Sequence, residues 1–197
     1  MAVSVSPDSY TAPMKSRPVD PRHLDVETFA KDGDALEGRW LLNTLERLAD
    51  AAHPDCKPGD DDAAVWHIEG ERRAVRGGLF ETWLHLRTSA RLSLVCQRCL
   101  GPVDAPIDAE RHFLFVAGEE AAAALDAESE DDVLALTRWL DLRELVEDEL
   151  LLALPLVPRH DVCPSPLPMH AGDEERAQDQ PNPFAALGAL KRGGAGV

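Results

Sequence analysis

From Ala63 to Val116 the apolar and polar residues alternate with period two, and no stretch in between is long enough for a crossover helix. A period of two is the signature of a half-buried strand, and strands joined by short turns can only pair antiparallel. Val65-Trp66-His67-Ile68-Glu69-Gly70 leads to a turn at Gly77-Gly78. Trp83, His85 and Arg87 then alternate with Thr82, Leu84 and Leu86, and Arg91, Ser93 and Val95 with Leu92, Leu94 and Cys96. After Gly101-Pro102, Val103, Ala105, Ile107 and Ala109 alternate with Asp104, Pro106, Asp108 and Glu110, and His112 to Val116 closes the run. The pattern predicts an antiparallel sheet of roughly four strands over about 63–116.

The flanks read differently. Leu41, Leu42, Leu45 and Leu48 fall at helical spacing beside Trp40, which predicts a helix over about 37–51 that His53-Pro54 stops. Residues 24–30 alternate weakly and suggest a short edge strand, and 54–62 are turn-rich. Residues 118–132 carry seven acids and no Lys or Arg, consistent with a solvated loop or short helix, and Val133 to Leu136 suggests a further short strand. Asp141 and Glu144 sit at capping-box spacing ahead of Leu142, Leu145, Val146, Leu150 and Ala153, which predicts a helix over about 141–154 ended by Pro155. The expected fold class is α+β: the sheet packed with a preceding and a following helix. The expected organisation is an N-terminal arm over 1–22, one domain over 23–163 and a Pro- and acid-rich tail over 164–197. That tail ends in an apolar ridge of Phe184, Leu187 and Leu190.

Charge and hydropathy exclude several classes. The apolar stretch Leu150 to Val157 already contains Pro155, so no segment suits a membrane span. No signal-peptide pattern opens the chain, so a cytoplasmic protein with reduced cysteines is expected. With 36 acidic residues against 20 basic ones, the net charge is −16. Such a surface repels phosphate backbones on average, which excludes a DNA coat and favours a basic protein as partner.

Cys96-Gln-Arg-Cys99 followed by Gly101 is the sharpest local motif. Two thiolates two residues apart can hold one tetrahedral zinc from a tight knuckle. Two further ligands are needed. Downstream lie His160, Cys163 and His170, with Cys56 as an outsider; His160 and Cys163 repeat the spacing of the first pair. The preferred set is therefore Cys96, Cys99, His160 and Cys163. The same residues also suit a reduced structural pair or, as a different class, a thiol-disulfide enzyme. A cluster of arginines, Arg72, Arg73, Arg76, Arg87, Arg91 and Arg98, forms a candidate RNA contact. Arg87 and Arg91 share one strand face near Trp83 and His85. Its plainer reading is a solvated strand surface pairing with the acids of 118–132. No phosphate loop, nucleophile elbow or metalloprotease motif occurs, and no general base stands out. The chain reads as a non-enzyme.

The stretch Leu94-Val-Cys-Gln-Arg-Cys-Leu-Gly-Pro102 resembles the YceD family, the large ribosomal RNA subunit accumulation proteins. The resemblance continues through Asp141-Leu-Arg-Glu-Leu-Val-Glu-Asp-Glu-Leu-Leu-Leu-Ala-Leu-Pro-Leu-Val-Pro-Arg-His160 and ends at Asn182-Pro-Phe-Ala-Ala-Leu187 with Leu190-Lys191. It implies a cytoplasmic, non-catalytic ribosome-biogenesis factor for large-subunit RNA, acting on precursor RNA or on a basic ribosomal protein. Some relatives carry a further Cys-x-x-Cys-Gly at the second half-site. Here Cys163 is followed by Pro-Ser-Pro-Leu-Pro-Met-His170, so a histidine must replace a thiolate in any zinc site.

Overall fold

The computed structural model describes residues 19–164, and the expected arm and tail lie almost wholly outside them. The elements are α1 (Val26–Asp32), β1 (Ala35–Leu41), α2 (Glu46–Asp50), β2 (Ala63–Ala74), β3 (Phe80–Val95), β4 (Pro102–Val116), α3 (Glu119–Asp126), β5 (Asp132–Ala135) and α4 (Leu142–Leu152). They build one compact unit through His160. A second unit begins at Asp161, and its described residues, 161–164, contain no helix or strand.

The fold is α+β, with one five-stranded sheet in the order β1-β2-β3-β4-β5. The first four strands pair antiparallel, while β5 joins β4 in parallel across the α3 connection. The sheet is therefore mixed. The 63–116 region holds three long strands rather than four, because Arg91, Ser93 and Val95 continue the same 16-residue β3 that carries Trp83 and His85.

Two expectations on the N-terminal side are corrected. The helix expected over 37–51 is confined to Glu46–Asp50; its first part is β1, and a 3-10 turn, Leu42–Thr44, joins the two. Leu41, Leu42, Leu45 and Leu48 have helical spacing, but Gly38 and Trp40 pair with Trp66 and Ala64 of β2. Gly38 is required there, because a Cβ at that position would sit 2.5 Å from the Trp66 ring. Pairing with a neighbouring strand thus overrides the local helical pattern. Conversely, residues 24–30 form α1 rather than an edge strand. The Asp25 carboxylate accepts from Thr28 N, and Gly33, in the left-handed region at φ 66°, ends the helix.

The expected 141–154 helix is α4, with Asp141 accepting from Arg143 N and Glu144 N. Its buried Leu142, Val146 and Leu150 join Leu84, Leu86, Ile107 and Phe113 in the main core. The strand alternation places α1, α2 and α4 on that face of the sheet. On the other face α3 covers one end, burying Trp83, Leu114, Ala122 and Val133 as a small second core. Phe113, Leu114 and Phe115 are all buried for this reason. Beyond α3 the outer face is open, and it carries the charged residues of β2, β3 and β4.

Candidate functional site

β3 and β4 are joined by residues 96–101, which fold as a knuckle. Cys96 N donates to Gly101 O at 2.9 Å, and Leu100 N donates back to Cys96 O at 2.9 Å. The left-handed residue of this turn is Leu100, at φ 61°, not the neighbouring Gly101, where a Cβ would meet Cys99 Sγ at an ordinary 3.7 Å. A non-glycine residue there costs about 1–2 kcal/mol, so something must hold it. His53, outside the expected site, fills that role. Asp55 N donates to its Nδ1 at 3.1 Å, which leaves Nε2 to donate to Leu100 O at 3.2 Å. His53 is buried, with its own N–H on Ser93 O. The sequence offers no signal for it beyond a His-Pro that ends a helix.

The knuckle is tied to the segment that follows α4. Gln97 N donates to Pro158 O at 2.8 Å, and the Arg98 guanidinium donates to His160 O at 3.1 Å. This brings His160 Nδ1 to 3.5 Å from Cys99 Sγ. Tetrahedral zinc with ordinary Zn–S and Zn–N bonds needs a ligand–ligand edge of about 3.6 Å, so this pair has the right separation. Cys96 is fully buried, while Cys99 and His160 are half-buried. Burial alone would raise the Cys96 thiol. The backbone groups of Cys99, Arg98 and His160 and the Cys99 side chain outweigh it and hold the thiol at about 5, so the thiolate form is favoured. One ligand atom from each of Cys96, Cys99 and His160 lies within 4.8 Å of the others, and these three could hold a metal ion. No disulfide joins the cysteines. Cys163 is half-buried in the short 161–164 stretch, Cys56 is exposed and outside the group, and His170 lies beyond the described residues.

The six candidate arginines do not form one patch. Arg72, Arg73 and Arg76 stand at the β2–β3 hairpin end, Arg87 and Arg91 midway along β3, and Arg98 in the knuckle. A 16-residue strand spans about 50 Å, which separates the first group from the last. Arg87 shares the Glu110 carboxylate with His85, at 3.2 and 2.9 Å, and Arg73 binds Glu71 at 2.8 Å. The ion-pair partners of these strand arginines come from the sheet itself, while Asp131, within 118–132, adds a longer-range attraction to Arg73. Trp83 is not open for stacking: it is buried, with the Arg73 guanidinium 4.3 Å from its ring centre. His85 stacks on His112 at 4.1 Å. Exposed aromatics lie elsewhere: Phe80 is 54% accessible beside Leu79, with the Arg72 guanidinium 4.0 Å over its ring, and Trp139 is 48% accessible, with Arg138 at 5.5 Å.

Residues 84–191 match the family described as large ribosomal RNA subunit accumulation protein YceD. A relative of that name from Haemophilus influenzae is 31% identical over 163 residues, covering 79% of this chain and 86% of its own. The chain belongs to the YceD family. The span matched by the YceD family model takes in the knuckle, α4 and His160, whereas the β2–β3 hairpin end precedes it. The family name places its members in the accumulation of large-subunit ribosomal RNA. No solved structure matches this YceD chain. No helix among the described residues is long and apolar enough to cross a membrane.

Proposed function

We propose that this YceD-family protein is a non-catalytic cytoplasmic factor that promotes accumulation of large-subunit ribosomal RNA by binding precursor RNA. The observation that carries the RNA contact is the β2–β3 tip. Arg72 lies over the exposed Phe80, and Arg76 stands exposed in the turn with no ion pair among the described residues. In a chain of net charge −16, guanidinium and an open aromatic face coincide here at closer range than at Arg138 and Trp139, 5.5 Å apart. Unpaired bases stack on such a face while the guanidinium groups meet phosphates. The acidic remainder limits non-specific sticking.

Zinc held by Cys96, Cys99 and His160, with Cys163 as fourth ligand, completes the proposal. Two residues separate His160 from Cys163, a chain reach of about 10 Å at most. A closed set of four protein ligands leaves no open position, so such a metal is structural and staples the knuckle to the segment after α4. Full burial of Cys96 argues against the thiol-disulfide reading, since an attacking thiolate must be reached by its substrate.

The test is binding of a single-stranded fragment of large-subunit precursor RNA across a salt series. Removing two phosphate contacts in R72A/R76A should lower affinity and flatten the log–log salt slope by about 1.4. An unchanged affinity and slope would refute the tip as the RNA contact. A second reading has the protein bind a basic ribosomal protein and act on RNA indirectly. What favours it is that Arg73 and Arg87 are already neutralised by Glu71 and Glu110 on their own face.

A further inference from the structure

Between β5 and α4, on the core face of the sheet, runs a groove of about 580 Å³. Its floor is apolar, formed by Phe113, Leu134, Leu145 and Leu151. Leu152 forms a lip that is 73% exposed, although it is the last residue of a helix whose other leucines face the core. The rim has the opposite character. Asp126, Asp132, Asp148 and Glu149 surround the apolar floor. One cation, Arg111, serves both Glu149 at 3.2 Å and Asp132 at 3.8 Å, so the two carboxylates share a single positive charge. Asp148 turns to Arg47. The adjoining loop adds the exposed Glu128, Glu130 and Asp131. The Glu149 carboxyl is pushed up from its ordinary value, chiefly by burial, as expected for an acid short of counter-charge.

We infer that this groove is the docking site for a lysine- or arginine-bearing protein segment that sets apolar side chains on the floor and its basic groups on the rim. The charge selects this occupant over the alternatives. An RNA strand would bring phosphates to a ring of carboxylates, and a second copy would bring another chain of net charge −16. A basic segment answers both the floor and the rim. The inference rests on the second reading above, a basic ribosomal protein as partner, and assigns it a place.

The experiment uses the full chain and a fluorescently labelled Lys-Leu repeat peptide, with a Glu-Leu repeat peptide as reference, read by anisotropy. The basic peptide should bind and the acidic one should not. D132K and L152K, both at exposed positions, should each weaken binding about tenfold. D104K makes the same charge change as D132K on the opposite sheet face and should weaken binding less than about twofold. Equal weakening by D104K and D132K would overturn the groove while leaving a basic partner in place. No binding of the basic peptide would overturn both. Displacement of the peptide by single-stranded RNA in a manner abolished by L152K, or a dimer in sedimentation that L152K dissociates, would overturn the assigned occupant.

Discussion

Glu147 offers a sharp test of how the helices are held together. It lies on α4, nearly buried, and its carboxylate stands at the start of α2, where Leu45 supplies no side-chain cap. One oxygen accepts from Arg47 N at 2.8 Å and Leu48 N at 3.1 Å; the other accepts from the Arg47 guanidinium at 3.3 and 3.1 Å. Glu147 thus caps a five-residue helix from another element, and α2 is far too short to persist alone. Glu147→Ala removes the cap, worth about 1–2 kcal/mol, and strands two N–H groups at a buried interface. The ion pair adds less, about 1 kcal/mol, because the Arg47 side chain is 51% exposed and returns to water. The expected total is about 2–3 kcal/mol. Glu147→Gln keeps a neutral acceptor for the two N–H groups and should cost about half as much. Urea unfolding followed by tryptophan fluorescence reads this directly, since Trp66 and Trp83 are both buried. A Glu147→Ala cost below about 0.5 kcal/mol would refute the capping role, because the lost hydrogen bonds alone exceed it. A Glu147→Gln cost equal to that of Glu147→Ala would show that the charge, not the acceptor geometry, carries the effect.

Two further predictions address the knuckle and the outer face. The full chain purified without chelator should retain about one zinc, lost in C96S and C99S and accompanied by a lower urea midpoint; no retained metal and no response to chelator would refute the centre. Hydrogen bonds from His85 and Arg87 hold the Glu110 carboxyl below its ordinary 4.5. The native state therefore binds that proton more weakly than the unfolded chain does. Its contribution is present above the ordinary carboxylate range and is lost as pH falls through the lowered value. The stability gap between wild type and E110Q should be present near about pH 6 and close on acidification; a gap that widens in acid would contradict the sign.

The proposed RNA tip and the acidic groove differ sharply in charge. A positive aromatic point on a negative body keeps non-specific RNA contacts short-lived, while an acid-rimmed apolar groove favours a basic chain.

Much of the architecture was legible along the chain. Alternation over 63–116 implied the sheet, the leucine stripe after Asp141 implied α4, and the gap between Cys96 and Cys99 marked the knuckle. These features are local: each depends on which face of one element is buried, and a single strand or helix records that in its own period. Residues 35–51 were not legible, because the helical leucine spacing runs from the end of β1 through a 3-10 turn into α2, while the strand before it depends on Trp66 of β2 lying across Gly38. The left-handed Leu100 and its support by His53 leave no periodic trace, nor does the capping of α2 by Glu147 across nearly a hundred residues. The arginines show the same limit. Their number was readable, but ion pairing with Glu71 and Glu110 and the burial of Trp83 decide which of them remain available, and those depend on strand register. Partners distant in sequence meet through packing that no single segment encodes, so the elements could be inferred from the chain while their shared sites had to be seen in three dimensions.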